Sequence, residues 1–60
     1  MNATEKRLYS EGFRLGWASA AAGHALDEDV ARQMVATPRG RGYVQGWTAA
    51  MQRLALAAAG

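Results

Sequence analysis

The 60-residue chain contains no cysteine, one proline and one histidine. Without cysteine it forms no disulfide bond, and without cysteine pairs or a group of histidines it lacks the usual ligands of a structural metal. Its length allows a single domain, residues 1–60, and a domain of this size buries only about 60% of the surface that its unfolded chain exposes. We therefore expect stability to come from helix packing or from a partner.

Long apolar segments are also missing. The stretch 54–60 is apolar, but it has about a third of the length needed to cross a bilayer. Near the N-terminus, Lys6 and Arg7 lead into Leu8, Tyr9 and Ser10 rather than into the apolar run of a signal peptide. We expect a cytoplasmic protein without a membrane-spanning segment, and the absence of cysteine agrees with a reducing compartment.

Side chains suited to acid–base or nucleophilic catalysis are few. The chain has His24 and five acidic residues, of which three form the run Asp27-Glu28-Asp29. That run lacks the alternating ligands and the glycine of a calcium loop, and acidic residues at the start of a helix are stabilised by its dipole. We expect that the protein is not an enzyme and that it holds neither a cofactor nor a metal ion.

Two segments resemble each other at a displacement of 30 residues. Residues 12–20 read GFRLGWASA and residues 42–50 read GYVQGWTAA, so each has glycine, an aromatic residue, two variable residues, glycine, tryptophan and three small residues. Two copies are too few for a solenoid. The repeat therefore predicts a pseudo-symmetric pair of helices.

The first copy lies in a predicted amphipathic helix of about residues 4–22, and the second in a predicted helix of about residues 38–58. An interior glycine lowers helix stability by about 1 kcal/mol relative to alanine, so the glycines predict close approach of a second backbone. Exposed aromatic rings would instead stack on bases. The predicted core consists of glycines and aromatic residues from both copies: Gly12, Phe13, Gly16, Trp17, Tyr43, Gly46 and Trp47.

Capping residues indicate a short helix between these two. Gly23 and His24 suit the C-terminal end of the first helix, Asp27 suits the N-cap of a helix over about residues 27–36, and Thr37-Pro38 suits the start of the last helix. The predicted fold is all-α, with two longer helices packed through their Gly-x-x-x-Gly and aromatic faces. The short helix has a narrow apolar stripe suited to covering one side of a helical hairpin: Val30, Ala31, Met34 and Val35.

The last helix carries more apolar surface than one neighbour covers. Val44 and Met51, seven residues apart, form a second stripe beside Trp47. The short helix, a protein partner or a second copy of the chain would have to cover this stripe, and the third of these predicts a homodimer.

Net positive charge is concentrated late in the chain. Six of the seven basic residues are arginine, whose planar fork suits phosphate, and residues 38–60 hold three arginines and no acidic residue. In the run TPRGRGY, residues 37–43, arginines and the N–H groups of a helix N-terminus would face one anion, which predicts a contact with RNA phosphate. The alternative is an ordinary solvated basic loop. The predicted contact residues are Arg39, Arg41, Arg14, Lys6 and Arg53.

The arrangement of these residues resembles the ribosome modulation factors, short bacterial proteins that bind the small ribosomal subunit and promote hibernating dimers of ribosomes. That family pairs a helix carrying Gly-aromatic-x-x-Gly, here residues 12–16, with a helix reading aromatic-x-x-Gly-Trp-x-x-Ala-Met, here residues 43–51. The resemblance implies a small helical protein that binds rRNA and regulates translation. An acidic segment, Leu26-Asp27-Glu28-Asp29, replaces a Cys-Pro-Tyr element of the family. Lys6 and Arg7 are few basic residues for the N-terminus of this family, which implies weak, salt-sensitive binding.

A second kind of binding protein fits the same sequence. Its short length, its modest charge and the stripe of Val44 and Met51 are also typical of a small phage-type or prophage-type inhibitor or adaptor that docks a helix face on a host protein. The two functions differ in partner, because one requires RNA and the other a protein surface.

Overall fold

The computed structural model describes residues 1–59, which are all-helical apart from short connections. Helix α1 spans Ala3–Ala21, α2 spans Glu28–Met34 and α3 spans Pro38–Ala59. The predicted fold class is confirmed, since two long helices pack together and a short one lies between them. No helix within residues 1–59 is both long and apolar enough to cross a membrane. Gly60, which ends the predicted apolar stretch, lies outside the described residues.

All three helices begin at a side chain that accepts a backbone hydrogen bond. Asn2 Oδ1 accepts from the N–H of Glu5 at 2.8 Å and the Glu5 carboxylate accepts from the N–H of Asn2 at 3.2 Å, so α1 opens with a capping box. Asp27 Oδ1 caps α2 and Thr37 Oγ1 accepts from the N–H of Gly40 at 3.0 Å, as predicted. The Asn2 cap was missed, although asparagine three residues before glutamate is its sequence signal.

Gly23 ends α1 and turns the chain toward α2. Its φ of 86° lies in the left-handed region that glycine adopts without strain. The N–H groups of Gly23 and His24 donate to the carbonyls of Ala20 and Ser19 at 3.0 Å, which is the Schellman arrangement and confirms the predicted cap. The carbonyl of His24 accepts from the indole N–H of Trp47 at 2.8 Å, so the end of α1 is tied to α3.

Helices α1 and α3 are parallel. A Cβ atom built on Gly12 would lie closer than 3.0 Å to the carbonyl of Arg39, and one built on Gly16 would lie as close to the carbonyl of Tyr43. A residue one turn farther along α1 therefore contacts a residue one turn farther along α3, so the two helices run in the same direction. The expectation of a helical hairpin is wrong, because the connection through α2 is long enough to return the chain to the starting end before α3 begins.

The contact between the two long helices has a two-fold pseudo-symmetry. Gly42 packs on the carbonyl of Tyr9 and Gly46 on that of Phe13, with the same clearance that Gly12 has against residue 39 and Gly16 against residue 43. Adding 30 to a residue number in α1 gives the residue that makes the equivalent contact from α3. The repeat in the sequence is thus the pseudo-symmetry of one helix–helix contact, and the predicted close approach of two backbones is confirmed.

The side chains that this contact buries are small. Ala20 and Ala50 are 2% and 1% exposed, and no large side chain among residues 1–59 is fully buried. The predicted core glycines are buried, and three of the predicted core aromatic residues are half-buried. Trp17 is 39% exposed, so the core prediction is wrong for it. Backbones that approach this closely leave no room for rings between them, and the rings lie along the edges of the contact.

The short helix α2 lies against the start of α3. Gly40 packs on the carbonyl of Met34, and the Cα atoms of α2 come within 8 Å of α3 but not of α1. Val30 and Val35 are 48% and 43% exposed, whereas Ala31 and Met34 are half-buried. The prediction that this stripe covers a side of the long-helix pair holds for Met34, which lines a groove with Gly12 and Leu15 of α1, and is wrong for the exposed Val30 and Val35.

Candidate functional site

Basic side chains gather at one end of the molecule because α1 and α3 are parallel. Lys6 and Arg7 lie in the first two turns of α1, and Arg39 and Arg41 lie in the first turn of α3. Both helices also direct the positive end of their dipole toward this end. We call these four residues the basic pole.

The acidic run lies away from the basic pole. After α1 the chain returns from the level of Trp47 to the level of Gly40, and Asp27–Asp29 stands at the beginning of this return. Asp27 caps α2, and Asp29 forms an exposed ion pair with Arg32. The topology thus separates the acidic run from the basic pole, whereas Glu5 and Glu11 stay beside the pole.

Arg39 and Arg41 do not converge on one point. Residues two apart in a helix differ by about 200° in direction, and the contacts of the two guanidinium groups reflect this divergence. Arg39 Nη2 lies 3.7 Å from Glu11 Oε2 on α1, whereas Arg41 Nη1 donates to the carbonyl of Val35 at 3.1 Å. The expectation that both face the same anion is therefore wrong, because the two side chains leave the first turn of α3 in different directions.

Two backbone donors at the start of α3, those of Gly40 and Arg41, are occupied as well. The N–H of Gly40 donates to Thr37 Oγ1 at 3.0 Å, the N–H of Arg41 donates to the Thr37 carbonyl at 2.9 Å, and Pro38 has no N–H. An anion bound near residues 37–43 would therefore rest on side chains rather than on these backbone groups.

Arg14 joins Arg39 in an open groove between α1 and the start of α3. Glu11, Leu15 and Ala18 complete its lining, and Leu15 is 49% exposed. The groove thus combines two arginines, one carboxylate and an apolar floor.

Arg53 stands apart from the other predicted contact residues. It follows Arg39 by 14 residues, which places it about 21 Å farther along the axis of α3. In the pseudo-symmetric register it lies beyond the last residue of α1, Ala21. The structure brings Lys6 and Arg39 toward one end, places Arg14 near the middle of α1 and leaves Arg53 at the other end.

Three aromatic rings of α1 form a ladder along one edge of the long-helix contact. The ring centroids of Tyr9 and Phe13 are 6.5 Å apart, and those of Phe13 and Trp17 are 6.2 Å apart with planes inclined by 27°. These rings pack chiefly on one another. Trp17, at the end of the ladder, has the most surface available to a partner.

An apolar surface follows the outer side of α3. Met51 is 41% exposed and Leu54 47%, and together with Trp47 and the end of α1 they line an open groove. Val44, in the stripe predicted with Met51, is half-buried. Leu54 was not part of the predicted stripe, although its spacing from Trp47 and Met51 is that of a helix-packing face.

The chain matches no protein-family model, no curated protein and no solved structure at a significant level. Among residues 1–59 no three histidine, aspartate or glutamate side chains are grouped so as to hold a metal ion. The candidate binding surfaces of the described residues are the basic pole, the groove of Arg14 and Arg39, and the apolar surface of α3.

Proposed function

We propose that this protein is a non-catalytic binding protein that modulates translation by contacting rRNA phosphates of the small ribosomal subunit with its basic pole and Arg14. The observation that carries the proposal is the parallel arrangement of α1 and α3, which collects the pole at one end and leaves the acidic run elsewhere. The resemblance of residues 12–16 and 43–51 to ribosome modulation factors supports the same partner.

The present contact of Arg39 leaves its side chain free to exchange partners. The Arg39–Glu11 pair is 3.7 Å long, and the Arg39 side chain is 58% exposed, so the pair contributes about 0–1 kcal/mol. A phosphate offers arginine two acceptors and a larger charge. With about four phosphate contacts, the logarithm of the binding constant should fall with the logarithm of salt concentration with a slope of about −3.

The test is co-sedimentation of the purified protein with small ribosomal subunits at several salt concentrations. We expect binding that RNase treatment removes and that the double substitution Lys6→Gln with Arg39→Gln weakens by about tenfold or more. Arg41 is left in place because its contact with the Val35 carbonyl joins α2 to α3. Substitution there would confuse loss of contact with loss of structure.

The matched control is Arg32→Gln with Arg53→Gln, which removes the same charge from positions outside the basic pole. Equal weakening by the two double variants would show attraction to net charge alone. Unchanged binding by the pole variant would reject the site.

A second candidate is an inhibitor or adaptor that docks a helix face on a host protein. The exposure of Leu15, Met51 and Leu54 favours it, because apolar anchors beside arginine are typical of protein interfaces. It predicts capture of a single protein that resists RNase and is lost on Met51→Asp. Ribosomal proteins lost on RNase treatment would instead support the rRNA contact.

A further inference from the structure

We infer that the apolar surface of α3 is an interface between two copies of this chain, packed antiparallel across Met51 and Leu54. The surface is separate from the basic pole, and the inference does not depend on rRNA binding. Its residues are called the α3 seam: Val44, Trp47, Met51, Leu54 and Ala58.

The spacing of the α3 seam is that of a helix-packing surface. Its members recur at alternating intervals of three and four residues, which places them on one side of a helix and is the pattern by which one helix packs on another. The contact with α1 uses a different side of α3, where Gly42, Gly46 and Ala50 are buried. The seam is therefore a second helix-packing face.

Within the described chain the C-terminal part of α3 has little cover, since only Leu54 shares a groove with the turn that follows α1. In the pseudo-symmetric register Ala21, the last residue of α1, stands beside Met51, so residues 52–59 extend beyond the pair and are all exposed. An isolated helix of this length is marginal in water. A second copy packed against it would supply the missing face.

The exposed area agrees with what a dimer needs. The chain exposes 4320 Å², whereas the size relation for folded monomers gives about 3,800 Å² at 6.4 kDa. Covering the difference of about 500 Å² on each of two copies buries about 1,000 Å², the lower bound for a specific interface. The dimer should therefore form, and be weak.

Charge favours a second copy over an acidic or basic partner. The α3 seam contains no charged residue, and between residues 42 and 59 only Arg53 is charged. An apolar face that meets its own copy about a two-fold axis is self-complementary. Antiparallel packing also sets the two basic poles at opposite ends and lays each extension on the other copy's Trp47.

The test is analytical ultracentrifugation of the full chain from about 1 µM to about 1 mM, a range that resolves weak association by mass action. We expect the mass to rise from 6.4 kDa toward twice that value. Leu54→Glu should raise the dissociation constant about tenfold or more, because it places a charge in an apolar contact. A mass that stays at 6.4 kDa over the whole concentration range would overturn the proposal.

The chain offers a matched control in Leu56, which is 71% exposed on the same extension but points about 160° away from Leu54. Leu56→Glu should leave the dissociation constant unchanged. Far-UV circular dichroism of both variants establishes that each remains helical. Equal weakening by both substitutions would mean that the seam is not the contact, and would overturn the proposal.

Because the chain has no cysteine, a single introduced thiol reports on the orientation. In the antiparallel pair Met51→Cys lies near the two-fold axis and should form a disulfide-linked dimer on oxidation, whereas Ala58→Cys should not. Cross-linking at residue 58 and not at residue 51 would overturn the antiparallel arrangement.

Discussion

The smallest side chains decide how the long helices meet. Gly46 packs on the carbonyl of Phe13, and its equivalent Gly16 packs on the carbonyl of Tyr43. In most small domains large apolar side chains fill the interior, whereas here none is fully buried. The contact therefore requires glycine at these positions, because any other residue would place a Cβ atom against the carbonyl of the facing helix.

Gly46→Ala should lower the free energy of unfolding by about 2 kcal/mol, although alanine is the better helix former by about 1 kcal/mol. The added methyl group meets a backbone carbonyl, so only separation of the helices relieves the overlap. Urea unfolding followed by far-UV circular dichroism measures the change.

Gly23→Ala is the control for this prediction. A Cβ atom at residue 23 meets nothing within 4 Å, and the substitution costs about 1 kcal/mol for its left-handed backbone alone. If Gly46→Ala proved no less stable than this control, the close contact of α1 and α3 would be wrong.

At the scale of elements, α2 depends on its cap more than the long helices depend on theirs. It has seven residues, none of them buried, and its first turn is held by Asp27, whose carboxylate accepts from the N–H groups of Asp29 and Val30 at 2.8 and 3.2 Å. A helix this short forms few further hydrogen bonds after its first turn, so they do little to offset the free-energy cost of nucleation.

Asp27→Ala should therefore unfold α2 locally and leave α1 and α3 paired, at a cost of about 1 kcal/mol. Amide hydrogen exchange should accelerate at residues 30–34 and stay unchanged in the glycine stripes of the long helices. Asp27→Asn retains an oxygen acceptor and should keep α2 protected. Faster exchange throughout α3 in the alanine variant would mean that α2 supports the whole fold.

At the scale of the molecule, each long helix needs the other. The glycine stripe of α1 has no side chains to bury by itself, and the same is true of α3, so neither helix gains much from packing until both are formed. Stability near the lower end for small domains, about 3 kcal/mol for a chain of this length, is expected from so small a buried interior.

Unfolding should be a single transition in dilute solution. Trp17 reports on α1 and Trp47 on α3, so tryptophan fluorescence and far-UV circular dichroism should give coincident urea curves. Helical signal that persists after the fluorescence transition would show that one long helix is stable alone. If two copies associate through the α3 seam, the midpoint should rise with protein concentration.

The sequence by itself determined the local structure. Capping at Gly23, Asp27 and Thr37 and the period of the apolar residues placed three helices to within two residues, because these signals act over single turns. The repeat of residues 12–20 at 42–50 predicted the paired glycine faces, because a Cβ is excluded wherever backbones touch.

Only the tertiary structure decided which way the helices run and which residues meet. Local signals are the same for a parallel and an antiparallel pair, so the hairpin expected from sequence was wrong. The burial of Trp17 was misjudged because the closeness of the backbones excludes rings. The direction of the helices also determines the candidate site, since parallel packing brings Lys6 toward Arg39 and leaves Arg53 at the far end. This arrangement depends on contacts between residues about 30 apart in the sequence.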